Sequence, residues 1–119
     1  MKSLRVFSDS VAMAEEMARC WCELARQATN NQHVFTVVLS GGSTAPLLYG
    51  KLAEPEWRNN IPWKAVHIFF ADERCVPPNN KESNYKIVSD HLINDISIPE
   101  TNIHRIRGEQ NPEKEALRY

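Results

Sequence analysis

Two short stretches carry the side chains that could do chemistry. The first, Ser40-Gly41-Gly42-Ser43-Thr44, lies between an apolar run, Val34-Phe35-Thr36-Val37-Val38-Leu39, and a predicted helix from Pro46 to Ala53. A strand that passes through paired glycines into a helix N-terminus suits an anion. Glycine lets the backbone approach closely, the first helical N–H groups have no intrahelical partner, and the helix dipole favours negative charge there. Ser43 and Thr44 add hydroxyl donors at the same rim. The same residues also fit a plain strand–helix turn with Thr44 as N-cap, so the loop alone leaves both readings open. It is neither of the common nucleotide signatures. No Lys follows Gly42 before Lys51, and an adjacent glycine pair stands where a dinucleotide fingerprint needs three spaced glycines. A phosphate held here points to a small metabolite rather than to ATP or NAD.

The second stretch follows another apolar run, Val66-His67-Ile68-Phe69-Phe70, and reads Ala71-Asp72-Glu73-Arg74-Cys75-Val76-Pro77-Pro78. In open parallel sheets ligands bind beyond the carboxyl ends of strands, and both stretches occupy such an end. If the two strands are neighbours, a carboxylate, a guanidinium and an anion cradle converge on one crevice. Arg suits bidentate contact with phosphate or carboxylate, and Asp serves as a base or holds a catalytic partner. Three adjacent charges also make an ordinary surface cluster; their coincidence with the glycine loop favours a site.

The elements that must position these residues alternate. Leu4-Arg5-Val6-Phe7 predicts a short strand, and Ser8-Asp9-Ser10 offers caps for a helix from about Val11 to Ala28. Glu15, Glu16, Arg19, Glu23, Arg26 and Gln27 form its polar arc. Val11, Ala14, Met17, Ala18, Trp21, Leu24 and Ala25 make up the remainder, which predicts a helix packed on a sheet. Thr29-Asn30-Asn31-Gln32 turns the chain into the strand at Val34. The interval from Leu39 to Val66 holds one helix and a loop, enough for a right-handed crossover to a parallel neighbour. Trp57 and Trp63 flank that loop and read as packing residues rather than a sugar platform. Ser83-Asn84 caps a further helix near Tyr85 to Asn94, with Tyr85, Val88, Leu92 and Ile96 inward; Ile103 to Ile106 is extended; Asn111 and Pro112 start a last helix. The pattern predicts an α/β fold with a mostly parallel sheet, of the Rossmann-like three-layer kind.

Composition narrows the class. The 119 residues suit a single domain, and fourteen basic against fifteen acidic side chains give no basic field for nucleic acid. No apolar run approaches the roughly 18 to 20 residues of a membrane span, and Met1-Lys2-Ser3 does not open a signal sequence. These features predict a cytoplasmic protein with neither nucleic acid nor membrane as partner. Of three cysteines, Cys20 and Cys22 lie two apart on a predicted helix and point to nearly opposite sides. Cys75 beside Arg74 reads as a bystander thiol. His33, His67, His91 and His104 have no metal-ligand spacing, so no metal is expected.

In order along the chain, Ser40-Gly41-Gly42-Ser43-Thr44, Leu48-Tyr49, Leu52, Ile61-Pro62-Trp63, Asp72-Glu73-Arg74, Val76-Pro77, Ser83-Asn84, Ile98-Pro99 and Asn102-Ile103-His104-Arg105-Ile106 resemble 6-phosphogluconolactonases. The likeness covers about residues 34 to 119. Glucosamine-6-phosphate deaminases share the architecture but typically carry Asp-Glu-Tyr and Ser-Tyr where this chain has Asp72-Glu73-Arg74 and Ser83-Asn84, so Arg74 and Asn84 make it more similar to the lactonases. Ala45 intervenes before Pro46, where Pro usually follows the Thr directly; Pro is tolerated throughout a first helical turn. The resemblance implies hydrolysis of 6-phospho-glucono-1,5-lactone without a cofactor. It implies that Gly41, Gly42, Ser43, Thr44 and Asn84 line the substrate site, that Arg74 contacts substrate oxygens, and that Asp72 orients water or a catalytic His. Members of the family carry that His in an Asp-Gly-His segment of a second half, which none of the four histidines here matches. Residues 1–119 are therefore expected to form the amino-terminal portion of one such domain, with a cut sheet edge open to self-association. A phosphosugar isomerase and a non-catalytic folded fragment are the rival expectations.

Overall fold

The first helix shows how polar and apolar residues divide. In the computed structural model, which describes residues 2–119, Ser10–Asn30 forms α1, and the Asp9 carboxylate caps it by accepting from the Ala12 N–H at 2.7 Å. Ala14, Ala18, Trp21, Cys22 and Ala25 are buried, one stripe of a 3.6-residue helix. Arg19 pairs with Glu16 and Glu23 on the opposite arc. Val11, Met17 and Leu24, expected to face inward, are 51%, 46% and 52% exposed. The helix ends in a Schellman motif: Gln32 takes the left-handed region at φ 59°, and the His33 and Gln32 N–H groups bond the carbonyls of Ala28 and Thr29.

Leu4–Phe7 does not form the predicted strand. Residues 2–7 are irregular, Leu4 and Val6 are almost fully exposed, and Arg5 reaches Glu16 of α1 instead. Four alternating residues gain nothing as a strand without a neighbour to pair with, and none lies beside them among the described residues.

The sheet has three parallel strands, β1 Phe35–Leu39, β2 Val66–Phe70 and β3 Ile103–His104, in that spatial order. The extended stretch expected to Ile106 pairs only over Ile103 and His104. Between β1 and β2 run α2, Ala45–Ala53, and a four-residue helix, α3, Pro55–Arg58, which sequence reading did not anticipate. Between β2 and β3 lies α4, Asn84–His91, shorter than predicted because the chain tightens into a 3₁₀ turn at Ile93–Asp95. Val66, Ile68 and Phe70 point into one core with Leu52, Val88, Leu92 and the buried stripe of α1. One face of the sheet is thus covered by α1, α2 and α4. Trp63 is buried there and donates its indole N–H to the Arg58 carbonyl at 2.9 Å, while Trp57 packs half-buried against the same core. Both are packing residues.

The opposite face carries His67, Phe69 and His104. The Phe69 and His104 rings stack 4.2 Å apart, and His67 Nδ1 lies 3.0 Å from His104 Nε2. The last helix, α5, Pro112–Arg118, is capped by Asn111 and delivers Tyr119 to this side. The Tyr119 hydroxyl accepts from the Phe70 N–H at 2.7 Å, and the Tyr119 and Phe69 rings pack T-shaped. This is the expected α/β, Rossmann-like arrangement. No helix among the described residues is long and apolar enough to cross a membrane.

Candidate active site

Parallel pairing puts the two chemically rich stretches side by side. Leu39 stands opposite Phe70, so β1 and β2 run out at the same edge, and the Ala71 N–H extends the ladder by bonding the Leu39 carbonyl at 2.8 Å. The two glycines have different reasons to be there. Gly42 has φ +103°, a conformation side chains rarely adopt. Gly41 is needed for space, since a Cβ there would lie 2.1 Å from Asn84 Oδ1. Thr44 occupies the N-cap position of α2, but its side chain makes no capping hydrogen bond, and Gly42, Ser43 and Thr44 are all exposed. Thr44 thus stands at the cap without capping through its side chain, and the Ser43 and Thr44 hydroxyls make no hydrogen bond among the described residues. Tyr49 of α2 holds the start of the loop: buried, it donates its hydroxyl to the Ser40 carbonyl. Burial raises its phenol above the ordinary range, with the bond to Ser40 opposing, so Tyr49 stays a neutral donor.

Asn84 connects the two stretches. Its side chain is buried, and its Nδ2 donates to Asp72 Oδ1 at 2.8 Å and to the Asp72 carbonyl at 3.3 Å while its Oδ1 faces Gly41. The Asp72 carboxylate is thereby tethered beside the glycine loop, yet the residue remains exposed. Arg74 is exposed as well, and its guanidinium enters no ion pair among the described residues. Its backbone is firmly placed: a Cβ at Gly108 would come within 2.1 Å of the Arg74 carbonyl oxygen. The 106–110 segment therefore packs directly beneath this turn, and only glycine allows it.

The residues border two hollows rather than one. Gly41 and Thr44 line a mainly apolar one of about 500 Å³ with Met13, Met17, Val38 and Leu47. Asp72 and Arg74 line another of about 310 Å³ with Ile106, Arg107 and Tyr119. The bridge between them is the Asn84 amide. Glu73, to which sequence reading assigned no role, proves the best-connected side chain of the site. Its Oε1 accepts from the N–H groups of Arg74 and Asn84 at 2.8 and 2.7 Å, and its Oε2 from Ser83 Oγ and the Tyr85 N–H at 2.9 and 3.1 Å. The signal was present only in part: Ser83 reads as a cap, but the usual Glu three residues later is Lys86. Among the described residues no three His, Cys, Asp or Glu side chains gather as for a metal ion, and Cys20, Cys22 and Cys75 are free thiols.

Residues 8–119 match the family described as glucosamine-6-phosphate isomerases/6-phosphogluconolactonase. A 6-phosphogluconolactonase of Haemophilus influenzae is 46% identical over 87 residues, covering 73% of this chain and 38% of its own length. A probable 6-phosphogluconolactonase of Arabidopsis thaliana is 37% identical over 119 residues, covering 97% of this chain and 46% of its own. The crystal structure of the 6-phosphogluconolactonase from Thermotoga maritima superposes with a TM-score of 0.80 at 30% identity, over 96% of this chain and 49% of that one. The chain thus spans half or less of the length of these relatives.

Proposed function

The chain belongs to the glucosamine-6-phosphate isomerase/6-phosphogluconolactonase family, and from that membership we propose that it supplies the amino-terminal part of one domain that hydrolyses 6-phospho-glucono-1,5-lactone to 6-phosphogluconate. The observation that carries the reading is the Asn84 bridge, which joins an open glycine loop to a tethered carboxylate at one sheet edge. The reaction needs little more than such a rim. A water adds its oxygen to the lactone carbonyl carbon, the carbonyl oxygen becomes an oxyanion, and the intermediate collapses by breaking the bond to the ring oxygen, which takes up a proton.

In this reading Gly41, Gly42, Ser43 and Thr44 line the anionic end of the substrate through backbone and hydroxyl donors. Arg74, with its fork unpaired, meets the developing oxyanion or another substrate oxygen. Asp72 orients the attacking water or the imidazole that activates it, and Asn84 borders the substrate while keeping Asp72 in register. The substrate is a phosphosugar lactone, no cofactor takes part, and the reaction belongs in the cytoplasm. The carboxy-terminal half of the domain supplies the activating His. Two assays test this. A protein carrying this chain at the length of its relatives opens the lactone faster than spontaneous hydrolysis, whereas residues 1–119 alone do so weakly or not at all. Ammonia release from glucosamine 6-phosphate, with no lactone opened, would move the assignment to the isomerase branch.

A further inference from the structure

We propose that Glu73 is a positioning residue that sets Asp72 through Asn84, a role that rests on the lactonase reading for its consequence but on hydrogen-bond geometry for its existence. Helix α4 begins with N–H groups that have no intrahelical acceptor. Ser83 Oγ takes the Lys86 N–H at 3.3 Å, and Glu73 takes those of Asn84 and Tyr85 at 2.7 and 3.1 Å. Glu73 thus satisfies, from the end of β2, two N–H groups of the first turn of α4 that the Ser83 side chain leaves open. It also accepts from Ser83 Oγ at 2.9 Å, so it grips the cap itself.

The grip has a direction. Asn84 is the first residue of α4, and the bond from its N–H to Glu73 fixes where its side chain starts. That side chain is wedged against Gly41 and donates to Asp72 Oδ1 at 2.8 Å. Glu73 and Asp72 are adjacent, so the chain of contacts closes on itself: Glu73 holds α4, α4 presents Asn84, and Asn84 aims Asp72. A charged acceptor is required, because four donors converge on one carboxylate, whereas an amide at this place would turn an NH₂ group towards two of them. Both Glu73 carboxylate oxygens are taken up by these four donors, which leaves it a holding role.

The test uses Glu73→Gln, Glu73→Asp and Asn84→Ala. In the 119-residue chain, the Asn84 side-chain amide protons exchange with solvent about fivefold faster in Glu73→Gln than in the unsubstituted chain, the equivalent of one lost hydrogen bond. In a protein of the relatives' length, kcat on the lactone falls about a hundredfold with KM little changed, since a misplaced group costs turnover rather than binding. Glu73→Asp recovers part of this. The Glu73→Gln change costs little further kcat once Asn84→Ala is present, because both act on one contact. An unchanged Asn84 exchange rate, or full additivity of the two substitutions, overturns the proposal. If Glu73→Gln does not fold, the Glu73→Asp and Asn84→Ala pair carries the same cycle. A protein that opens no lactone at all refutes the lactonase reading instead, and the exchange measurement still decides whether the clamp exists.

Discussion

The carboxyl edge of the sheet and the outer edge of β1 are built from the same strand but finished to different degrees. At the carboxyl edge the groups that build the rim are paired, while Ser43, Thr44 and the Arg74 guanidinium stay open: Tyr49 holds Ser40, Asn84 holds Asp72, Glu73 holds α4, and Gly108 lies under Arg74. Along the outer edge β1 has no neighbouring strand among the described residues. Val34 and Val38 are exposed there, with Met17 and Leu24 of α1 and Leu47 of α2 also uncovered, and hollows lie beside both helices. Hydrogen bonds close over a few residues and complete themselves locally. Apolar faces and strand edges are completed only by another layer or strand. This chain therefore presents a hydrogen-bonded polar rim beside an uncovered apolar edge.

The largest effect expected from breaking the rim is at Arg74. In a protein of the relatives' length, Arg74→Ala should lower kcat/KM for the lactone by about 10²–10³, the cost of losing one oxyanion donor. Arg74→Lys should restore only part, because a point charge lacks the planar fork. Loss of less than tenfold would remove Arg74 from the chemistry.

The outer edge should answer to a charge. We expect residues 1–119 to self-associate through β1 and its apolar flanks, visible by size exclusion with light scattering. Val38→Lys, placed on the exposed side of that strand, should shift the chain towards monomer without changing its helical signal. A purely monomeric unsubstituted chain would contradict this.

A smaller effect sharpens the role of the glycines. Gly42→Ala should destabilise by about 1–2 kcal/mol through the left-handed backbone alone, since nothing lies near its Cβ position. Gly41→Ala should act differently, displacing Asn84 and so lowering activity more than stability. Thermal unfolding and lactone kinetics on the two variants separate the cases; identical behaviour would refute the distinction.

The smallest effect is a pH dependence at Glu115, which lines the hollow beside Asp72 and Arg74. The Arg118 guanidinium, aided by the Arg107 N–H, holds the Glu115 carboxyl at about 2, below its ordinary 4.5. Because the folded value is the lower one, this contribution is complete above the ordinary range and disappears as pH falls through it towards 2. Glu115→Gln should lower the melting temperature near neutrality, where this contribution is complete, and flatten its dependence on pH over that interval.

Local chemistry in the amino-acid sequence alone determined α1 with its Asp9 cap, the strands at 35–39 and 66–70, the crossover, and the placement of the glycine loop and Asp72-Glu73-Arg74 at strand ends. These follow from periodicity, caps and glycine, which act within a few residues. Leu4–Phe7 shows the limit: its alternation is strand-like, but a strand exists only when paired, and pairing is a property of the assembled sheet. The same holds for Val11, Met17 and Leu24, which are apolar enough for a core that does not extend over them. Tertiary structure alone decided that Glu73 caps a helix ten residues away, that Gly41 yields its space to Asn84, and that Gly108 passes under Arg74. Each of these joins atoms whose separation along the chain is long and whose separation in space is one hydrogen bond or one missing methyl group. No pattern of neighbours in a sequence encodes such a distance until the strands have aligned.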